Sequence, residues 1–238
     1  MSTPLTFEVL DDAGSAGPDR LALTDYTVVV AGYTGRDAAA VQHHIDELAA
    51  IGIPAPDSVP AFYPMDAALV TQDPAVTVAG SYTSGEVEPV LVRAGGELYL
   101  GVGSDHTDRD LERESVAGSK AACPKPVSRQ VVRVPADLDW DAVEMASAVD
   151  GERYQSGTLR TLRVPTDVLA LLDADSSAPG GDLVMFGGTL PLLTGTFVAG
   201  SAWELELRLP DGVTLRHSYT ADRAPRTQPS PAVADREV

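Results

Sequence analysis

Gly85-Glu86-Val87-Glu88-Pro89-Val90-Leu91-Val92-Arg93-Ala94-Gly95-Gly96-Glu97-Leu98-Tyr99-Leu100-Gly101-Val102-Gly103-Ser104-Asp105 reads as a strand, a tight turn at Gly95-Gly96 and a return strand. In extended chain, side chains two apart point the same way, so Glu86 and Glu88 share one face and Val87 takes the other. Two adjacent carboxylates repel. Either both are solvated on a strand edge, or a hard divalent cation sits between them, since Mg²⁺ takes a few carboxylates together with water and substrate oxygens. The return strand brings Asp105 beside the pair as a third carboxylate. Pro89 cannot donate to a ladder, which predicts an edge strand or a bulge.

Upstream of this hairpin, Thr34-Gly35-Arg36-Asp37 has the form of a capping box, and Val41, Ile45 and Leu48 recur at helical spacing until Gly52-Ile53-Pro54. On that helix His44 and Glu47 are i, i+3 neighbours, with His43 on the opposite, solvated face. A histidine with a glutamate one turn away makes a general base with an orienting carboxylate, or else an ordinary surface pair. Downstream, residues 105–114 read as a charged helix start, and Lys120 stands before the break at Pro124 and Pro126. Lys120 and Lys125 are the only lysines, so neither reads as surface filler.

Strands are predicted over 27–31, 69–71, 76–78, 130–134, 142–149, 153–158, 183–186, 203–209 and 213–219, with Asp150-Gly151 and Pro210-Asp211-Gly212 as hairpin turns. A short helix is predicted from Val164-Pro165 through Leu172. Gly187-Gly188-Thr189 is bare backbone, suited equally to a structural turn and to close approach of a ligand.

The chain has 238 residues, enough for one large domain with a small N-terminal addition. Its net charge of −18 argues against nucleic acid and anionic membranes, where binding would begin with repulsion. The most apolar stretch, 183–200, is broken by glycines and Pro191, so no membrane span is expected. Met1-Ser2-Thr3-Pro4 leads on without a basic n-region or a long apolar run, and Cys123 is the sole cysteine. The expectation is a cytoplasmic protein without disulfides.

Taken in order, these segments resemble the fumarylacetoacetate hydrolase superfamily. Gly35-Arg36 with His44-Ile45-Asp46-Glu47 resembles its Gly-Arg-Asn segment and lid-helix His-x-x-Glu dyad. Gly85-Glu86-Val87-Glu88 resembles its Glu-x-Glu metal strand. Asp105-His106-Thr107-Asp108-Arg109-Asp110 is similar to the segment carrying the third carboxylate, Ser119-Lys120 to its Lys-Ser segment, and Gly188-Thr189 to its late Gly-Thr-Pro turn. The resemblance runs from about Tyr33 to Glu206. Asp37 stands where Asn is expected, the interval from Arg36 to His44 is longer, and Leu190 separates Thr189 from Pro191, so the branch is a divergent one.

The resemblance implies Mg²⁺ or Mn²⁺ held by Glu86, Glu88 and Asp105, with His44 oriented by Glu47 activating water and Lys120 stabilising developing charge. Arg36, Arg109, Gly188 and Thr189 would bind substrate. The implied activity is hydrolytic C–C cleavage of a 1,3-dicarbonyl or acylpyruvate-like oxo acid through a metal-stabilised enolate. A decarboxylase, isomerase or dehydratase acting on a 2-oxo acid is the second enzyme reading; a β-rich binding protein with a solvated acidic surface is the non-enzyme one. A homodimer is implied as well. The expected fold is α+β and mostly β, a mixed β-roll or barrel-like domain over 33–220 with a lid helix. A small β segment (1–32) would precede it and a disordered tail (221–238) would follow.

Overall fold

The computed structural model describes residues 4–11, 14–50, 52–175 and 178–224. Strands β1 (Leu5–Leu10), β2 (Ala16–Leu23) and β3 (Thr27–Gly32) precede helix α1 (Ala38–Ala50). Next come β4 (Ala61–Met65), β5 (Val70–Thr71), β6 (Ala75–Val78), β7 (Thr83–Ser84) and the hairpin β8 (Val87–Ala94) and β9 (Glu97–Ser104). After β10 (Thr107–Asp108) lie α2 (Arg109–Glu112), α3 (Val116–Ala121), β11 (Lys125–Pro126) and β12 (Gln130–Arg133). The remainder is β13 (Glu144–Val149), β14 (Glu152–Thr158), α4 (Pro165–Asp173), β15 (Leu183–Phe186), β16 (Ala202–Arg208) and β17 (Thr214–Arg223).

The turns predicted for the two hairpins form as expected. Gly95 and Gly96 have φ of 57° and 88°, and Asp150 and Gly151 have 50° and 85°, the left-handed pairs that a two-residue turn needs to match strand twist. An eight-stranded sheet runs β2-β1-β12-β9-β8-β15-β3-β4 and a five-stranded sheet β14-β13-β16-β17-β6. Both mix parallel and antiparallel neighbours, with β3 parallel to β15 and β1 parallel to β12. The fold is therefore α+β and mostly strand, as expected, but among the described residues the strands form two large open sheets and two two-stranded ones (β7 with β10, β5 with β11) and close no barrel.

Alternation along β8 explains why both of its faces are buried. Val87 and Leu91 join a core shared with Met145, Trp203 and Leu207 of the smaller sheet and Val168 and Leu172 of α4. Val90 and Val92 face a second core that also takes Phe7, Val28, Tyr99 and Phe186. That core draws on strands from both ends and the middle of the large sheet, so the sheet is rolled around it. Glu86 and Glu88 share the parity of Val90 and Val92, which sets them at the end of the rolled face.

Three expectations are corrected. β8 is an interior strand between β9 and β15, not an edge. Pro89 is tolerated there because β15 ends with Phe186 opposite Val90, and the Pro89 carbonyl needs only to accept from Gly187 N–H. The boundary at residue 32 separates no two bodies, since β1, β2 and β3 are all strands of the large sheet. The tail begins later than residue 221, because Ala221, Asp222 and Arg223 pair with Val76, Thr77 and Val78; from residue 225 on it lies outside the described residues.

Helix α1 also starts later than the capping-box pattern predicts. The Asp37 carboxylate accepts from the N–H groups of Ala39 and Ala40 at 2.9 and 3.2 Å, so Asp37 is the cap and Thr34 is not. Of the helix, Ile45 alone is fully buried.

Candidate active site

At the edge of the roll where β3 and β15 end and β8 begins, a cavity of about 580 Å³ opens under α1. Of the residues singled out in the sequence, Glu86, Glu88, Arg109, Lys120, Gly188, Thr189 and His44 line it. Arg36, Glu47 and Asp105 do not.

Asp105 lies just beneath the cavity, fully buried. Its Oδ2 takes a short ion pair from Lys120, and Lys125 Nζ stands 3.0 Å from Oδ1. Burial alone would raise the Asp105 pKa, but the two lysines hold it well below the usual carboxylate range. Lys125 Nζ also donates to the carbonyls of His106 (2.6 Å) and Lys120 (2.5 Å). Burial pushes its pKa down. The Asp105 carboxylate beside it nevertheless favours the ammonium, and we assign Lys125 the charged form.

Glu88 is 2 % exposed, and its Oε2 accepts from Gly188 N–H at 2.9 Å. Burial, and then the nearby negative charge of Asp105, raise its pKa well above the ordinary glutamate value. Gly188 has φ of 99°, and a Cβ there would fall 1.8 Å from Thr34 Oγ1, so only glycine brings this N–H to Glu88. Thr189 Oγ1 donates to the Val87 carbonyl and accepts from Gln155 Nε2, both at 2.8 Å. It lines the cavity, and its hydroxyl proton holds β8.

Glu86 is drawn sideways by Arg109, whose Nη2 lies 2.9 Å from Oε2. The same guanidinium pairs with Glu112 at 2.9 Å, donates to Ser84 Oγ at 2.7 Å and stacks 3.6 Å over the Phe197 ring. Its Nε and Nη1 donors are thus committed, while Nη2 holds Glu86 by charge without a hydrogen bond, and the group acts first as the anchor of Glu86. Asp108 caps α2 through the N–H groups of Asp110 and Leu111, which is how Arg109 gains its direction.

Two expectations about the dyad and its neighbour change. His44 sits on the rim, but Glu47 Oε2 is 3.8 Å away, too far for a hydrogen bond, and Glu47 is closer to His43 at 3.3 Å. His43 is solvated, as expected, and reaches Glu47 because residues four apart on a helix are neighbours. Arg36 turns out of the cavity altogether. It pairs with Asp141 at 2.7 Å and donates to the Leu162 carbonyl, fastening the start of α1 to the body.

Tyr33 and Tyr63 carry no signal in the sequence, and Lys125 is marked there without a role. Tyr33 has φ of 56°, a strained conformation for a bulky residue, and this sharp exit from β3 turns its ring toward His44, 6.2 Å between centroids. Lys120 Nζ lies 5.9 Å from the Tyr63 ring, and burial pushes the Tyr63 phenol up to about 12, so it remains a hydrogen-bond donor at neutral pH. No local signal marks a tyrosine for φ above zero. The scarcity of lysine did point at Lys125.

Among the described residues no three His, Cys, Asp or Glu side chains stand ready to hold a metal ion. The reason is visible: Arg109 takes Glu86, while Lys120 and Lys125 take Asp105. The donor set itself fits a hard divalent cation. Glu86 and Glu88 line the floor and Asp105 lies buried beneath it, burial and the Asp105 charge together raise the Glu88 pKa, and the Lys120 ammonium feels Asp105, Glu86 and Glu88 together. Once Lys120 turned off Asp105, those oxygens could take such an ion. Burial of Glu88 and Asp105 also excludes the solvated acidic surface as an account of these carboxylates.

Similar architectures occur in solved structures. A candidate fumarylacetoacetate isomerase/hydrolase from Oleispira antarctica matches with a TM-score of 0.61 at 17% identity, covering 82% of this chain and 93% of its own. A candidate fumarylpyruvate hydrolase from Burkholderia cenocepacia gives 0.61 at 17%, covering 93% and 92%. Maleylpyruvate hydrolase from Sphingobium sp. SYK-6, in complex with manganese(II) and pyruvate, gives 0.59 at 10%, covering 84% and 71%. The fold is thus that of the fumarylacetoacetate hydrolase superfamily. No curated protein matches the chain. The chain belongs to the family described as protein of unknown function (DUF2848), whose profile matches residues 31–219.

Proposed function

We propose that the chain is a divalent-metal-dependent hydrolase that cleaves a carbon–carbon bond in a 1,3-dicarbonyl or acylpyruvate-like oxo acid. The observation that carries this reading is the floor of the cavity, where buried Glu88, Glu86 and Lys120 meet beneath a rim that holds His44. Mg²⁺ or Mn²⁺ held by Glu86, Glu88 and Asp105 would supply Lewis acidity toward the paired oxygens of the substrate.

The chain's own residues do the rest. His44 takes a proton from a water whose oxygen bonds to the acyl carbonyl carbon. The bond from that carbon to the oxo-acid fragment breaks, its electron pair departs with the fragment, and His44 returns the proton there. Lys120, its pKa raised by the three carboxylates against the lowering effect of burial, stays charged and donates to the oxygen on which negative charge develops. Arg109 keeps Glu86 in place, and α1 shields the cavity from bulk water.

His44→Ala should abolish hydrolysis while Mn²⁺ with oxalate still raises the melting temperature, since a ligand specific to the folded state must stabilise it. Glu86→Ala should lose both responses. Full turnover in either variant sinks the mechanism. The second reading, decarboxylation, isomerisation or dehydration of a 2-oxo acid, is favoured by one observation: Glu47 does not orient His44, and these reactions need no attacking water. Two carbon fragments, CO₂, or an isomer among the products separate the readings.

A further inference from the structure

The lining of the cavity divides by chemistry between floor and outer wall. Its charged groups sit on the floor, where Glu88, Arg109 and Lys120 are 2 %, 4 % and 7 % exposed. The outer wall is apolar. Val41 and Leu48 of α1 line it together with Leu192 and Phe197 of the loop after β15, all half-buried. The loop is not loosely hung: Leu193 N–H donates to the Tyr154 carbonyl, Gly195 N–H to that of Leu192, and Phe197 is stacked on Arg109.

Charge divides in the same way. Arg109 and Lys120 are the only arginine and lysine in the described lining, and both are committed on the floor, to Glu86 with Glu112 and to Asp105. Around the outer wall stand His44 and Asp37, the latter occupied in capping α1. Arg36, between the lining residues Gly35 and Asp37, points away to Asp141. A carboxylate at the far end of a substrate would therefore meet apolar side chains and no fixed cation, which disfavours its charged form. The net charge of −18 adds repulsion against a dianion. A three-carbon oxo-acid head has six non-hydrogen atoms. Even at about 30 Å³ apiece, the share of a water molecule in the liquid, these fill only about a third of the cavity.

Resting on the hydrolase reading above, we propose that this site selects a monoanionic oxo acid or 1,3-dicarbonyl whose acyl group is an apolar alkyl or aryl chain. The oxo-acid head sits on the floor, and the apolar group is seated between Val41, Leu48, Leu192 and Phe197. Dicarboxylates of similar length are rejected.

Two non-cleavable oxamates with the same chelating head test this without turnover. N-pentyloxamate carries an apolar tail and N-oxalylglycine a second carboxylate. Calorimetric titration of the Mn²⁺-loaded full chain should give at least tenfold tighter binding for N-pentyloxamate, with affinity rising by up to about fourfold per methylene along the N-alkyl series. Leu192→Arg should tighten N-oxalylglycine at least tenfold and weaken N-pentyloxamate. Val41→Arg, on the opposite wall, repeats the swap if the loop variant fails to fold. Equal affinities, or tighter N-oxalylglycine in the wild type, overturn the inference and leave the metal reading standing. Binding of neither oxamate in the presence of Mn²⁺ overturns both.

Discussion

Glu88 illustrates how a site can oppose the stability of its own fold. Its folded pKa is raised above the unfolded one, so ionisation costs stability at every pH above the folded value. That cost is relieved as pH falls through the folded pKa and is gone below the ordinary glutamate value of about 4.3. Glu88→Gln should therefore melt higher than wild type at pH 7–8 in the absence of divalent metal, by about 2–4 °C for each kcal/mol recovered. The difference should vanish near pH 4, and the Mn²⁺-induced shift should disappear; thermal melts across pH with and without metal check all three. Lys125 works in the other direction. It is fully buried against Asp105, and its loss leaves that carboxylate to Lys120 alone and the His106 and Lys120 carbonyls without their donor. Lys125→Met should cost roughly 3 kcal/mol, lowering the melting temperature by about 6–12 °C, and a near-wild-type melt would refute the clamp.

At the scale of elements, helix α1 decides access to the cavity and is held by little. Ile45 is its only fully buried residue, Asp37 caps its start, and Arg36 fastens that start to Asp141 and Leu162. Asp37→Ala should loosen the helix by about 1 kcal/mol, which speeds hydrogen exchange of α1 amides by roughly fivefold while β13 and β14 keep their protection. Unchanged exchange in α1 would show that Asp37 is not its anchor. The helix itself is legible from the spacing of Val41, Ile45 and Leu48. Its cap is not, because Thr34 and Asp37 both belong to residue types that cap, and the path of the chain out of β3 chooses between them. That path turns on Tyr33, whose positive φ no pattern of side chains announces. The β8–β9 hairpin, by contrast, was legible down to its turn, since Gly95-Gly96 can adopt the left-handed pair at no steric cost.

For the molecule as a whole, two open sheets share a core, and the larger is rolled around a second one. Local sequence announced the hairpins through turn residues and alternation, yet it put β8 at an edge. Pro89 normally forbids an interior strand, and only the early end of β15 removes the need for its N–H. The sequence by itself determined which residues carry the chemistry. Carboxylates two apart on a strand share a face, a glycine pair returns the chain, and two lysines in an acidic chain are unlike the rest of its surface. Only the tertiary structure decided what each of them touches. Asp105 went to two lysines, Glu86 to Arg109, Thr189 to the β8 backbone and Arg36 to Asp141, because these contacts join residues up to 105 positions apart. Spacing governs directions within one turn or one strand, whereas burial and charge balance between distant segments are settled only when the sheets pack.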